Sequence, residues 1–367
     1  MMKKMRTIGI SLVIVLWAVL SLCLWFGKAE DYTYSERRKL AQFPKITASN
    51  VLSGNFMEKF EDFTLDQFPL RDGFRKVKSL FSYKILNQAD NNGIYLVEDT
   101  VAKIEYPLNE SAATYAVGRI QYLYDTYLRD TDCKIYTTVI PDKSYYLAEA
   151  NGYPGLDYNA LFDIYRPILS WAQYVEVADL LDPDDYYRTD THWRQERICD
   201  VAQRLLEAMR APVPDGNDYT PQTLETPFYG VYFGQAALPM ESEEMVILKS
   251  AVINGCRVFD YLTGEYTQVY NLEKRTSPDL YDVFLSGGQP ILTIENPAGE
   301  AGRELVIFRD SFGSSLAPLL LQGYSKVHLV DIRYMNPDDV GRYLTFTNQD
   351  VLFAYSTLIL NNGRSLK

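Results

Sequence analysis

The first strong pattern in the chain is an uncharged apolar run from Ile8 to Gly27. A helix rises ~1.5 Å per residue, so a run of this length spans the ~30 Å apolar core of a bilayer. Lys3, Lys4 and Arg6 precede the run and acidic residues follow it. By the positive-inside rule, this predicts a single-pass protein of the cell membrane with a cytoplasmic N-terminus and an extracytoplasmic remainder. A cleaved signal peptide is the alternative, although the run is long for one.

The region that follows, residues 28–105, is predicted to be a stalk and a helical segment. The stretch SERRKLAQFPKIT is polar and contains a proline, which does not favour regular structure. Residues 51–86 then carry apolar side chains at helical spacing, with an interruption around Pro69. We therefore expect two helices here, after the membrane anchor of residues 1–27.

From residue 106 onward, helical and strand patterns alternate. Apolar residues recur at helical spacing near 114–128, 194–209 and 315–324. The predicted strands are KIYTTVI (134–140), YVEVADL (174–180), LVIF (305–308), KVHLVDI (326–332) and DVLFAYS (350–356). Apolar strands separated by helices predict a largely parallel sheet with both faces covered, so residues 106–367 are expected to form an α/β domain.

Residues from about 212 to 302 have a different texture. Short alternating runs replace the long apolar strands, and the pair Thr263-Gly264 is typical of a hairpin turn. We predict a β-rich insertion within the α/β domain.

Charge and cysteine content exclude two classes of protein. The formal net charge is −12, and since three basic residues precede the apolar run, the part beyond it carries −15. Nucleic acid is not an expected partner, because its binding depends on clustered Lys and Arg. One of the four cysteines, Cys23, lies in the apolar run, and the odd number that remains excludes a disulfide-stapled scaffold.

His192 is a candidate general base, because it lies just before a predicted helix with Asp190 two residues upstream. A carboxylate bonded to one ring nitrogen frees the other nitrogen to take a proton from a nucleophile. The alternative is that Asp190 or Thr191 only caps the helix. The second histidine, His328, lies in an apolar strand and is expected to be structural. With two histidines and no zinc-type spacing, neither a metal site nor a cofactor is predicted.

Ser311 is the candidate nucleophile, within LVIFRDSFGSSLAPLLL. An apolar strand ends there, residues 310–313 form a short polar turn, and a helix follows. This context projects a serine from the carboxyl edge of a sheet. Backbone N–H groups at the start of the helix are expected to stabilise an oxyanion, and Gly313 permits close approach. An ordinary loop with a helix-capping serine is the alternative reading.

Two segments together resemble a known family. DTHW (190–193) is similar to the Asp-x-His-Trp motif of the DHHW and alginate O-acetylation group (AlgX- and AlgJ-like), and RDSFG (309–313) is similar to its Gly-Asp-Ser-Phe block. These proteins are SGNH-hydrolase-like, and the resemblance covers most of the chain after the anchor. It implies a three-layer domain in which Asp190 orients, His192 is the base and Ser311 attacks.

Two further segments resemble the same group less specifically, and two positions differ from its pattern. VIPDKSYYL, which contains Lys143, and FYGVYFG, which contains Gly230 and Tyr232, resemble stretches of the same group and imply support for substrate or oxyanion. Arg309 stands where glycine is common, and Thr191 replaces the histidine between Asp and His that gives the DHHW group its name. The Asp-His pair precedes the serine, the reverse of ordinary SGNH hydrolases, which implies a circularly permuted sheet.

The resemblance implies O-acetyl transfer to a cell-envelope polysaccharide or exopolysaccharide through an acetyl-serine intermediate. An MBOAT-type membrane acyltransferase is the implied donor, since acetyl-CoA is not present outside the cytoplasm. An acetylesterase with the same three residues is the first alternative. The second is an inactive carbohydrate-binding or scaffold protein, for which 29 tyrosines and 4 tryptophans offer sugar-stacking surface. The strong negative charge favours neutral or zwitterionic glycans.

Overall fold

The structure is a computed structural model that describes residues 2–215 and 218–367. Met1, in the predicted anchor segment, and Gly216 and Asn217, in the predicted insertion, lie outside the described residues. The chain divides into two compact units, one made of residues up to 92 with 233–240, the other of residues 93–232 with 241–367. The sequence predicts a division near residue 105 and does not predict that residues 233–240 belong with the first unit.

The first unit begins with the long apolar helix α1. Its part from Lys4 to Phe26 is long and apolar enough to cross a bilayer, by length and composition. A two-stranded antiparallel ribbon and two helices separated at Pro69 follow, and these helices agree with the sequence prediction. The elements are α1 (Met2–Phe26), β1 (Tyr32–Thr33), β2 (Arg38–Lys39), α2 (Ala48–Leu52), α3 (Asn55–Asp66), α4 (Arg71–Leu80), a π-helical turn (Phe81–Ile85) and β3 (Asp90–Asn91).

The second unit is built on a large sheet, with further short strands and helices around it. Its strands are β4 (Ile94–Val97), β5 (Thr100–Lys103), β6 (Lys134–Ile140), β7 (Gln173–Tyr174), β8 (Thr220–Thr223), β9 (Val246–Lys249), β10 (Arg257–Asp260), β11 (Glu265–Thr267), β12 (Ile291–Glu295), β13 (Glu300–Arg309), β14 (Tyr324–Val330) and β15 (Asp350–Ser356). The helices are α5 (Glu110–Leu123), α6 (Ser144–Leu147), α7 (Tyr158–Tyr165), α8 (Cys199–Ala208), α9 (Val231–Ala236), α10 (Ala251–Gly255), α11 (Phe312–Leu316) and α12 (Thr357–Asn361), of which α9 crosses the boundary between the units.

The large sheet has the order β11-β10-β12-β14-β13-β15-β6-β7 within the described residues. The five strands from β14 to β7 run parallel, whereas β12, β10 and β11 are antiparallel. The predicted α/β class and its parallel sheet are therefore confirmed for the centre. In the region of the predicted β-rich insertion, β10 to β12 extend the main sheet, and β8 and β9 form a two-stranded ribbon.

Both faces of the parallel strands are buried. Alternate residues of β13 point to opposite sides, so Leu305 and Ile307 belong to one apolar cluster and Val306 and Phe308 to another. The first cluster includes side chains of α8 and α11, and the second includes side chains of α5, α7 and α12. Helices thus cover a central sheet on two sides, which explains why its strands are continuously apolar.

Three predicted elements differ from the structure. The helix predicted near 315–324 is replaced by α11 and a 3₁₀ turn over 317–320, and β14 already begins at Tyr324. The strand predicted over 174–180 is reduced to β7, because residues 178–180 form a 3₁₀ turn. The helix predicted from 194 begins only at Cys199, after a 3₁₀ turn at 195–197. The buried side chain of Gln195 bonds there to the carbonyl of Ser315 and to the N–H of Leu248, which holds the backbone out of the helix. Periodicity cannot reveal such polar contacts.

Candidate active site

Ser311 lies in the turn that connects β13 to α11. The strand ends at Arg309 and the helix begins at Phe312, so the serine stands at the carboxyl edge of the parallel strands, where α/β sheets place ligands. The carboxylate of Asp310 accepts the N–H of Phe312 at 2.9 Å and that of Ser356 at 2.7 Å. The turn is therefore tied to the end of the neighbouring strand β15.

His192 and Asp190 lie on a loop whose two ends are joined by an antiparallel bridge between Tyr186 and Trp193. Within it, one carboxylate oxygen of Asp190 accepts the backbone N–H of His192 at 3.1 Å and lies 2.6 Å from its Nδ1. A carboxylate accepts hydrogen bonds, so Nδ1 carries the proton and Nε2 is left with a free lone pair. The second carboxylate oxygen accepts the N–H of Val231 at 2.7 Å.

The three predicted residues come together in space. Nε2 of His192 lies 2.8 Å from Oγ of Ser311, across 119 positions of sequence. Asp190 is fully buried, His192 is 7% exposed and Ser311 is partly exposed. Such an arrangement allows a base to take the proton of the hydroxyl while the buried carboxylate stabilises the imidazolium.

Trp193 connects the histidine loop to the helix that follows the serine. Its indole Nε1–H donates to the carbonyl of Phe312 at 3.2 Å and to Oγ of Ser315 at 2.9 Å. Its ring also meets Phe312 edge to face, with centroids 5.4 Å apart. The last residue of the DTHW segment therefore sets the distance between the two segments that carry His192 and Ser311.

Tyr281 is a contact of His192 that sequence reasoning missed. The two rings are stacked with centroids 3.9 Å apart and an interplanar angle of 8°. The Tyr281 hydroxyl donates to Oγ of Ser315 at 2.8 Å, and burial raises the pKa of this phenol. Tyr281 comes from the region predicted as an insertion, and no motif distinguishes it among 29 tyrosines.

Lys143 supports the histidine loop from behind. The side chain is buried, and its ammonium donates to the carbonyls of Tyr187, Arg188 and Asp190 at 2.9, 3.2 and 2.9 Å. Three carbonyls match the three protons of an ammonium group. Burial lowers the pKa of Lys143 to about 7, against the opposing charges of Asp190 and Glu243. Its contacts are thus with the loop backbone.

Gly230 and Tyr232 also contact the loop. A Cβ at Gly230 would lie 2.2 Å from the carbonyl oxygen of Thr189, so only glycine fits, and its N–H donates to Oγ1 of Thr189 at 3.0 Å. The buried Tyr232 donates to Oγ1 of Thr191 at 3.3 Å, and its ring lies 5.2 Å from Nζ of Lys143. These contacts hold the segment that carries Asp190 and His192, either directly or through Lys143.

Glu243 is a second residue that the sequence does not reveal. This buried carboxylate accepts the N–H of Arg188 at 2.6 Å, the N–H of Thr189 at 2.8 Å and the hydroxyl of Thr189 at 2.5 Å. In the sequence it lies within ESEEM, which has the composition of an exposed loop. Long-range contacts of this kind leave no local signal.

Arg309 fills the space behind the serine turn. Its guanidinium is buried and donates to the carbonyl of Asp310 at 3.2 Å and to Oγ of Ser314 at 3.0 Å, with Asp331 at 3.7 Å. Burial lowers the pKa of Arg309. A Cβ at Gly313 would lie 2.7 Å from Cβ of Arg309. Arg309 is therefore bonded within the turn, and Gly313 leaves room for the side chain of Arg309.

The expected oxyanion donors at the start of α11 are already engaged. The N–H of Phe312 bonds to the Asp310 carboxylate, that of Gly313 to the Asp310 carbonyl, and that of Ser314 to the Ser311 carbonyl. The first N–H groups of any helix lack an intrahelical partner, and in this five-residue helix they bond to groups of the turn itself. The expectation that these groups face an oxyanion is therefore corrected for the three N–H groups of residues 312–314.

The second histidine lies in the sheet, away from these residues. His328 is on β14, where Nδ1 lies 2.8 Å from the hydroxyl of Thr293 and Nε2 lies 3.5 Å from Glu304. The hydrogen bond from His328 lowers the pKa of Glu304 to about 2. In the part of the chain that the structure describes, no group of three His, Cys, Asp or Glu side chains could hold a metal ion.

The fold and the site together define a mixed α/β domain with a Ser-His-Asp arrangement at the carboxyl edge of its sheet. A DHHW family protein from Eubacterium siraeum shares the fold, with a TM-score of 0.60 and 19% identity over 75% of this chain and 94% of that one. PatB1 from Bacillus cereus, solved with a sulfonyl adduct, has a TM-score of 0.58 and 16% identity over 73% of this chain and 95% of that one. A second PatB1 structure has a TM-score of 0.55 and 16% identity over 74% of this chain and 97% of that one.

These similarities establish the fold, and the predicted resemblance to the DHHW group is confirmed at that level. The three structures are each matched over nearly their whole length. No family model matches the chain, and the comparison with curated proteins finds no match. The function is therefore argued from the site itself.

Proposed function

We propose that this protein is an extracytoplasmic serine O-acetyltransferase that modifies a cell-envelope polysaccharide or exopolysaccharide. The observation that carries the proposal is the hydrogen-bonded series from Asp190 through His192 to Ser311, at 2.6 and 2.8 Å. The serine is partly exposed at a sheet edge while its two partners are buried. This combination favours an activated nucleophile that a substrate can reach.

In the first half-reaction, Oγ of Ser311 attacks the acyl carbonyl of the donor while Nε2 of His192 takes the hydroxyl proton. The imidazolium returns that proton to the leaving group, and an acetyl-serine remains. In the second half-reaction, His192 takes a proton from a sugar hydroxyl, which attacks the acetyl-serine, and the proton then passes to Oγ of Ser311. Asp190 holds the ring and stabilises its charge in both.

Oxyanion stabilisation requires donors aimed at the acyl oxygen. The N–H of Ser311 is our candidate for one of them, since the three N–H groups that follow it are engaged within the turn. We propose that Lys143, Gly230 and Tyr232 act as positioning residues for the loop of Asp190 and His192, in place of the substrate or oxyanion support that the family resemblance implies. We further propose a circularly permuted SGNH order, with the Asp-His loop before the serine strand.

The acyl donor must come from outside this chain. We propose that α1 anchors the protein in the cell membrane with its N-terminus in the cytoplasm, which keeps Ser311 on the outer side. The family resemblance is the support for an MBOAT-type membrane acyltransferase as the donor. The charge of −15 on the residues beyond the apolar run supports a neutral or zwitterionic acceptor glycan, since a polyanion would be repelled at low salt.

The test is intact-mass spectrometry of the detergent-solubilised full chain after incubation with p-nitrophenyl acetate. An acetyl adduct that maps to Ser311 and is absent from Ser311→Ala establishes the covalent step. A sulfonyl fluoride is a second probe, because PatB1 has been solved with a sulfonyl adduct. Turnover retained in folded Ser311→Ala would refute the mechanism.

The same assay separates transfer from hydrolysis. Passage of the acetyl group to added oligosaccharides in preference to water supports the transferase, whereas loss to water alone supports the acetylesterase. A folded protein that forms no adduct with either probe would favour the carbohydrate-binding or scaffold alternative.

A further inference from the structure

The helix α4 has an inverted distribution of apolar and polar side chains. Among its residues and those of the π-helical turn after it, Val77, Phe81 and Ile85 are 66%, 52% and 64% exposed. The inward side instead carries Ser79 and Ser82, which are buried. A helix on a water-soluble unit normally turns its apolar stripe inward, so α4 presents the wrong face to water.

The outward face is continuous along the helix. Phe74, Val77, Phe81 and Ile85 are spaced at three and four residues, which places them on one side of a helix. The inward face is held by polar contacts: Ser79 accepts a hydrogen bond from Asn91 at 2.9 Å. The inverted orientation is therefore built into the packing of the unit.

Basic residues accompany this apolar face. Residues 71–86 contain five Lys or Arg and one Asp, in a chain whose net charge is −12. Arg71 and Arg75 pair with Glu36 inside the unit. Lys78, four residues after Phe74, and Lys84, next to Ile85, are exposed on the two sides of the apolar stripe. Apolar residues flanked by lysines are typical of helices that lie in the interface of an anionic membrane.

The position of α4 within its unit agrees with this. The start of the helix and the outer end of α1 share a cavity of about 610 Å³, lined by Cys23 and Lys28 on one side and by Leu70 and Gly73 on the other. Trp25, at the end where membrane helices collect aromatic residues, lies 6.0 Å from the ring of Phe60 in the same unit. The outward face of α4 thus begins next to the point where the span leaves the bilayer.

We propose that α4 and the π-helical turn after it lie in the outer membrane–water interface, with Phe74, Val77, Phe81 and Ile85 in contact with lipid and Lys78 and Lys84 near anionic headgroups. The protein would then hold the membrane at two places, the span and this helix. The inference concerns attachment alone and does not depend on the proposed acetyl transfer.

The test places an environment-sensitive thiol label at single positions of the full chain in nanodiscs that hold one copy each. The background is Cys23→Ser, which removes the exposed thiol of the four, and the labelled background itself is subtracted. Val77→Cys and Ile85→Cys report on the proposed face. Leu262→Cys, which is 71% exposed in the other unit, is the matched control.

Labels at positions 77 and 85 are expected to be quenched by nitroxide carried on lipid acyl chains, and to be several-fold less accessible to aqueous iodide than the label at position 262. Iodide access equal to that of the control would overturn the proposal. Protection from both quenchers would also overturn it, because protein would then cover the face.

The charge component has its own arm. In the labelled Val77→Cys and Ile85→Cys proteins, nanodiscs that contain phosphatidylglycerol are expected to give more protection from iodide than nanodiscs of phosphatidylcholine alone. Adding Lys78→Glu and Lys84→Glu to these proteins is expected to abolish that increase. Equal protection in the two lipids would remove the lysines from the proposal.

Discussion

The imidazole of His192 and the phenol ring of Tyr281 lie parallel, with centroids 3.9 Å apart. A stacked aromatic face fixes the plane of the imidazole and stabilises it when it becomes cationic. Tyr281→Leu removes the ring, and we expect about a tenfold loss of p-nitrophenyl acetate turnover. Tyr281→Phe keeps the ring and loses only the bond to Ser315, so it should retain most of the activity.

The proton NMR spectrum and the turnover of the two variants together separate stacking from general packing. The downfield Nδ1–H proton resonance of His192, bonded to Asp190, should weaken in Tyr281→Leu and persist in Tyr281→Phe. Equal losses of turnover and of this resonance in Tyr281→Leu and Tyr281→Phe would assign the effect to the hydroxyl or to packing, and the stacking argument would fail.

The catalytic assignment predicts that Ser311→Ala, His192→Ala and Asp190→Ala each abolish acetyl-serine formation. Asp190→Asn should reduce turnover by about 10⁴-fold, because the amide stabilises the wrong tautomer of the ring. Ser314→Ala, in the same short helix, is the control and should still form the adduct. Intact mass and circular dichroism on the same samples distinguish lost chemistry from lost fold.

Gly230→Ala is expected to inactivate the protein without unfolding it. The new methyl group would lie 2.2 Å from the carbonyl oxygen of Thr189 and 2.4 Å from Cβ of Asp190, so the loop must move. Gly255→Ala is the matched control, since nothing lies within 4 Å of a Cβ there. Similar turnover in the two variants would show that the loop tolerates displacement.

Lys143 predicts a pH dependence of stability. Its pKa falls from 10.5 to about 7 on folding, because burial disfavours the charge. Between these values the unfolded chain binds more protons, so this residue makes the free energy of unfolding rise with pH, by at most about 1.4 kcal/mol per pH unit. Denaturant titrations of wild type and Lys143→Met across that range should differ in slope. Parallel curves would contradict the shift.

His328→Gln should leave acetyl-serine formation nearly unchanged, since His328 contacts Thr293 and Glu304 in the sheet. The variant should instead have a lower free energy of unfolding than the wild type at pH values above about 4.5. Glu304 has its pKa lowered to about 2 by His328, so its contribution is complete above about 4.5 and disappears as pH falls toward 2. Unfolding titrations should show the wild-type advantage shrinking in that window. A loss of adduct as large as that of His192→Ala would reassign the base.

The alternating pattern of helices and apolar strands predicts the parallel centre of the fold correctly, because strands buried on both faces must be apolar throughout. The same logic does not predict how the strands of the β-rich region from about 212 to 302 pair. The strands β10 to β12 join the main sheet as its antiparallel edge, and strand pairing between distant segments is not encoded in local periodicity.

The candidate site divides in the same way. Asp190, His192 and Ser311 lie in short motifs whose order along the chain can be read directly. Tyr281 and Glu243 reach the site through tertiary contacts and occur in segments of ordinary composition. A single sequence carries information about chemistry that depends on neighbouring residues, and little about partners that folding brings from afar.

The indole of Trp193 bonds to both Phe312 and Ser315, and this has a kinetic consequence. Its N–H can exchange with deuterated solvent only when the histidine loop separates from the serine helix. The exchange rate of one indole proton therefore measures how often the assembled site opens. A slow rate would mean that His192 and Ser311 stay within hydrogen-bonding distance through many turnovers.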